Sequence, residues 1–84
     1  MAQKLPVVSG NQLIKVLHRL GYSVVKQRGS HIKLKKELTA GTHSITVPEH
    51  DEIAKETLND ILNKVSIWNQ ISKDELIIML RKMR

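Results

Sequence analysis

Residues 22–36 read YSVVKQRGSHIKLKK, and the folding of this stretch decides the architecture. The segment YSVVKQ is rich in β-branched and aromatic residues, which predicts a strand over 22–27. HIKLKK (31–36) alternates polar and apolar, the period of a half-buried strand. Ile32 and Leu34 then point one way while His31, Lys33 and Lys35 point the other. Between the two runs lies RGS, with Gly29 as the flexible residue that lets the chain reverse. Two strands so close in sequence pair as an antiparallel hairpin.

Working outward, SGNQLIKVLHRLGY (9–22) carries a helix start signal. Ser9 can cap, and Gln12 three residues later completes a capping box. Leu13, Ile14, Leu17 and Leu20 follow at helical spacing, and Gly21 sits where a left-handed residue ends a helix. A helix is predicted over 10–20, with Lys15, His18 and Arg19 on its polar side. Downstream, ELTAGTH reads as a turn around Gly41 and SITV (44–47) as a third strand with Ile45 and Val47 inward. Pro48 closes it, because proline has no N–H for the ladder.

EHDEIAKE (49–56) reads as an acidic, irregular connector. TLNDILNKV (57–65) is amphipathic, with Leu58, Ile61, Leu62 and Val65 on one face, and SIWNQI reads as a short link. SKDE (72–75) is a second capping box, opening a third helix that runs to residue 83 and ends in Arg81, Lys82 and Arg84, cations suited to a helix C-terminus. Its apolar residues, Leu76, Ile77, Leu80 and Met83 among them, are more than one face holds, which leaves some for a partner.

The element order is α-β-β-β-α-α, an α+β fold with a three-stranded antiparallel sheet and helices on one face. The opposite sheet face is left to solvent, and it carries His31, Lys33 and Lys35.

Composition bounds the function. Eighty-four residues make one small domain, 1–84, with a core over about 8–67 and a C-terminal helix over about 72–83. There is no cysteine, which excludes disulfides and cysteine zinc sites. No apolar run nears the roughly 20 residues of a membrane helix, and LPVV is too short for a signal peptide. A soluble, cytoplasmic protein is expected.

The net charge is +6, unevenly spread. Residues 1–42 hold eight lysines and arginines against one acid, Glu37, while residues 43–84 hold six against seven. A basic half points to a polyanion, most commonly nucleic acid. With only Tyr22 and Trp68 as aromatics, the chain cannot build a base-stacking platform. Both rings are expected in the core or at an interface, and any RNA would be held through backbone, shape and hydrogen bonds. Asp51, Glu52 and Glu56 near His50 lack the spacing of metal ligands and read as a solvated connector, so no metal or cofactor is expected. His18 and His43 show nothing that sets them apart.

An ordered set of motifs adds to this. Ser9, Gly10 and Leu13 come first, then Leu17, Leu20, Gly21 and Tyr22, then Gln27 to His31. Val47 to His50 and Thr57 to Leu62 follow. Over roughly residues 8–83 this pattern resembles the HicA toxin family. The resemblance implies a fold like a double-stranded-RNA-binding domain, α-β-β-β-α, with an extra C-terminal helix. It implies a toxin that cleaves mRNA and so blocks translation, and a HicB-like antitoxin that covers the catalytic histidine. That histidine corresponds to His31.

On these terms His31 is expected as general base for attack of a ribose 2′-hydroxyl on the adjacent phosphate, with no metal. Arg28, Gly29, Ser30, Lys33, Lys35 and Lys36 are the expected RNA contacts. The acid for the leaving oxygen is either His50 or His31 itself. The free toxin is expected to be a monomer. The competing reading is a non-catalytic double-stranded-RNA-binding module. Such modules carry a lysine cluster at the start of the last fold helix, whereas IAKETL offers one lysine and one acid.

Overall fold

A computed structural model describes residues 5–82. Its elements are α1 (Gly10–Arg19), β1 (Ser23–Arg28), β2 (His31–Leu38), β3 (Gly41–Pro48), α2 (Lys55–Asn69) and α3 (Lys73–Lys82). The order is the α+β arrangement expected, and the sheet is antiparallel with strand order β1-β2-β3. Lys4, Met83 and Arg84 lie outside the described residues.

Both hairpins are tight. In the first, Arg28 pairs with His31, so Gly29 and Ser30 alone make the turn. Gly29 has φ +59°. Positive φ at the first of two turn residues is the II′ pattern, whose twist matches that of the strands it joins. The second hairpin departs from expectation. Leu38 pairs with Gly41, and Thr42 and His43 pair with Glu37 and Lys36. The turn is therefore Thr39–Ala40 only, and β2 and β3 are each eight residues long. Pairing continues because the inner face still has a side chain to bury at that level, namely His43.

Alternation sets the two faces. Ile32 and Leu34 of β2 and Ile45 and Val47 of β3 are buried under the helices, while His31, Lys33, Lys35, Ser44 and Thr46 are exposed. Every residue of β1 is exposed. In β1 the register shifts between Val24 and Lys26, so Val25 bulges. The bulge returns Lys26 to the outer face, opposite Lys33.

Capping explains where the helices begin. Both halves of the first capping box form: Ser9 Oγ accepts from the Gln12 N–H at 3.1 Å, and Gln12 Oε1 accepts from the Ser9 N–H at 2.8 Å. Gly21, just past the end of α1, has φ +105°. The Ser72 hydroxyl accepts the Glu75 N–H at 3.1 Å to open α3.

The second helix is longer than the predicted 57–65, and no link exists at 66–69. Side-chain bonds to nearby backbone hold its last turn. The Asn69 side chain donates to the Val65 carbonyl at 2.9 Å and the Ser66 hydroxyl donates to the Ile71 carbonyl at 2.5 Å. Gln70 then takes φ 53°, the left-handed residue that stops the helix.

α3 packs against α1 and α2 and buries Leu76, Ile77 and Leu80. Ile78 faces outward, which accounts for the excess of apolar residues in that helix. The Lys73 ammonium also donates to Asn59 Oδ1, tying the start of α3 to α2.

Candidate active site

The Gly29–Ser30 turn places His31 at the first position of β2, between Arg28 on one side and Pro48 on the other. Residues directly opposite in an antiparallel pair share a face. The outer face therefore carries Arg28 beside His31, Lys26 beside Lys33 with Thr46 beyond, and Ser23 beside Lys35 with Ser44 beyond. All are exposed. Four cations and an imidazole thus occupy one solvent-facing surface. The sequence reading missed Lys26, because the bulge that turns it outward has no signature in the string VVKQ.

Lys36 does not join them. It lies on the inner face, where its ammonium donates to Asn69 Oδ1 at 2.6 Å and stands 5.9 Å from the centre of the Tyr22 ring. Of the expected RNA contacts, Arg28, Gly29, Ser30, Lys33 and Lys35 surround or follow His31, while the Lys36 ammonium bonds Asn69 and lines a separate open cavity with Ser23, Lys35 and Glu37.

His50 is brought to His31. The two histidines line one open cavity of about 380 Å³, together with Thr46, Pro48, Ala54 and Thr57. Three backbone bonds hold the segment that carries His50. The Glu49 N–H donates to the Ser30 carbonyl at 2.5 Å, the Gly10 N–H donates to the His50 carbonyl at 2.9 Å, and the Ile53 N–H donates to the Val8 carbonyl at 2.9 Å. Val8 and Ile53 are both buried. The connector expected over 49–56 is irregular only over 49–54, since α2 already begins at Lys55, and it is pinned at three points.

The start of α2 also lines the cavity, through Ala54 and Thr57. Its N-cap is Ala54, which has no side-chain oxygen to offer, so the first N–H groups of the helix lack a side-chain acceptor. A helix amino end of this kind favours negative charge. Thr46 and Thr57 add two hydroxyls. Imidazoles, hydroxyls and flanking cations together suit a phosphate ester undergoing proton transfer.

Among the described residues no group of three or more histidine, aspartate or glutamate side chains is arranged to hold a metal ion. Asp51, Glu52 and Glu56 are exposed. No helix of the described residues is long and apolar enough to cross a membrane.

A second polar cluster lies on the far side of the sheet. Asn69 Nδ2 donates to the Tyr22 hydroxyl at 2.9 Å, and that hydroxyl lies 2.6 Å from His43 Nδ1. The ring of His43 stacks on Trp68 with centroids 4.9 Å apart. Tyr22 is fully buried, as expected, and its pKa is raised by burial, against the lowering effect of the Asn69 bond. His43 is 6% exposed. Burial, and secondarily the charge of Lys64, lowers its pKa. His43 is thus an internal packing group with a fixed hydrogen bond, set apart from the solvent-facing histidines.

A family model described as the HicA toxin of bacterial toxin-antitoxin matches residues 10–67. The match runs from the first residue of α1 nearly to the end of α2 and takes in the whole sheet, His31 and His50. No curated protein and no solved structure matches the chain.

Proposed function

The chain belongs to the HicA family of toxins from bacterial toxin–antitoxin systems, and we propose that it is a metal-independent endoribonuclease that cleaves mRNA with His31 as general base. His31 takes the proton of a ribose 2′-hydroxyl. The freed oxygen attacks the adjacent phosphorus, and negative charge gathers on the phosphorane oxygens. Arg28 and Lys33, which flank His31 on the outer face, offset that charge, with Lys35 extending the contact along the strand. The 5′-oxygen leaves as its bond to phosphorus breaks, and His50 supplies its proton. The products are a 2′,3′-cyclic phosphate and a 5′-hydroxyl.

The observation that carries this reading is the shared cavity of His31 and His50 at one end of the cationic face. Proton transfer needs a base and an acid on opposite sides of one phosphate, and two histidines can fill both roles near neutral pH. The same cationic face is the natural seat for an antitoxin of HicB type, which would present acidic groups to it and cover His31.

The test is cleavage of a synthetic RNA by purified protein in EDTA. Wild type should cut RNA to 2′,3′-cyclic ends and leave the matching DNA whole, since DNA lacks the attacking hydroxyl. His31→Ala should be inert while its circular dichroism matches wild type. Cutting by His31→Ala at the wild-type rate sinks the assignment. RNA that is bound but never cut by the wild type selects the non-catalytic module.

A further inference from the structure

Gly10 is the first residue of α1 and is buried. Glycine is a poor helix former, so the position needs another reason for it. A Cβ built there would lie 2.3 Å from the Pro48 carbonyl oxygen and 2.9 Å from the Glu49 Cα. Both are backbone atoms, which cannot swing aside as a side-chain tip does. The amino end of α1 is pressed against the chain as it leaves β3, and only a hydrogen leaves room.

The same contact carries a bond. The Gly10 N–H donates to the His50 carbonyl, which lies two residues past the clash. We infer that Gly10 is a positioning residue for His50: its missing side chain lets α1 dock on the Pro48–His50 turn and hold the second imidazole over the cavity that His31 lines. The inference deepens the ribonuclease reading and rests on it for the kinetic consequence, though not for the placement of His50.

Where the strain would go follows from the packing. β3 is held to β2 through the pairs His31 with Pro48 and Ile32 with Val47. α1 is held by Leu13, Val16 and Leu17, all buried. Glu49 and His50 are exposed and lie outside the strand, so their segment, held by single backbone bonds rather than by packing, yields before the buried elements on either side. A methyl at position 10 therefore shifts His50 first, and a catalytic group displaced by about 1 Å can lose up to about a hundredfold in rate.

The experiment uses the full chain, Gly10→Ala, and two comparisons. One is an ester at Gly10 (the N–H replaced by oxygen in a synthetic 84-residue chain), which deletes the bond to His50 and adds no bulk. The other is Ser72→Ala, which removes the cap of α3 and lowers stability far from the cavity. Gly10→Ala should move the imidazole resonances of His50 while those of His18 and His43 stay. It should lower kcat on RNA by about tenfold or more with KM within about twofold. The ester should do the same to a smaller extent, and it stands as the test if Gly10→Ala does not fold. Ser72→Ala should keep wild-type kcat. Wild-type His50 resonances in a folded Gly10→Ala protein, or in the ester, overturn the inference. So does an equal fall in kcat for Ser72→Ala. Should the wild type fail to cut RNA, the ribonuclease reading falls, and the resonances alone decide whether Gly10 places His50.

Discussion

The Tyr22 hydroxyl donates to Nδ1 of His43 across 2.6 Å of a buried interface. The direction follows from its neighbours. Lys36 donates to Asn69 Oδ1, so the Asn69 amide donates onward to the Tyr22 oxygen, which leaves the Tyr22 proton for His43. His43 must then be neutral, with its own proton on Nε2. Burial lowers its pKa below the ordinary 6.5. The unfolded chain takes up that proton first as pH falls, so this contribution to stability is fully present above about 6.5. It is lost as pH drops through the lowered folded value, with a slope of at most about 1.4 kcal/mol per pH unit for one proton. Thermal melts at pH 7.5 and 5.5 should show wild type losing stability in acid and His43→Phe losing less. Tyr22→Phe should cost about 1–2 kcal/mol at either pH, since it strips His43 and Asn69 of a partner. An unchanged acid sensitivity in His43→Phe would remove His43 as its source.

His31 and His50 should separate by leaving group. Losing a general base or acid costs about 10²–10⁴ in rate, so His31→Gln and His50→Gln should both be crippled on ordinary RNA. An RNA with sulfur in place of the bridging 5′-oxygen has a leaving group that needs no proton. On that substrate His50→Gln should recover to near wild type and His31→Gln should not. Recovery of neither would take the acid role from His50 and return it to His31. Both side chains are exposed, so neither change should disturb the fold.

Much of this molecule could be read from local pattern. The strict alternation of HIKLKK set the faces of β2, and the Ser9–Gln12 box set the start of α1, because both depend on near neighbours. Alternation also carried a warning that reading Lys36 by its charge passed over: Lys36 has the parity of Ile32 and Leu34 and starts from the inner face. What local pattern lacks is the distant partner. α2 runs on to Asn69 because Trp68 stacks on His43 and Asn69 bonds Tyr22. Lys26 turns outward because a bulge absorbs Val25. Glycine at position 10 is required by Pro48, thirty-eight positions away, and nothing in SGNQL announces it.

The cationic face should register in salt dependence. Each phosphate contact removed should reduce the slope of log K against log salt by about 0.7 on single-stranded RNA. Lys26→Ala and Lys33→Ala, opposite one another on the outer face, should each weaken binding and lower the slope. Lys36→Met should leave the slope unchanged and lower the melting temperature instead, because its ammonium is committed to Asn69. Filter binding from 50 to 300 mM KCl with the catalytically inert His31→Ala background measures all three. A slope change in Lys36→Met equal to that in Lys33→Ala would mean that RNA reaches around the sheet.

Gly29 offers the sharpest separation of stability from chemistry. A Cβ added there meets nothing within 4 Å, so any penalty is conformational. At φ +59° an L-residue pays roughly 1–2 kcal/mol, and a β-branched one more. The first position of a II′ turn lies outside the left-handed helical region that asparagine favours, so Gly29→Asn pays part of this penalty and Gly29→Val more. The two strands beside it are paired from His31 and Arg28 onward, so Gly29→Val should slip the turn and carry His31 with it. Expected are a lower melting temperature and a large fall in RNA cleavage for Gly29→Val, and smaller losses of both for Gly29→Asn. Cleavage lost in Gly29→Asn at wild-type stability would instead give the Gly29 backbone a direct contact with the phosphate, one that a side chain at this position blocks.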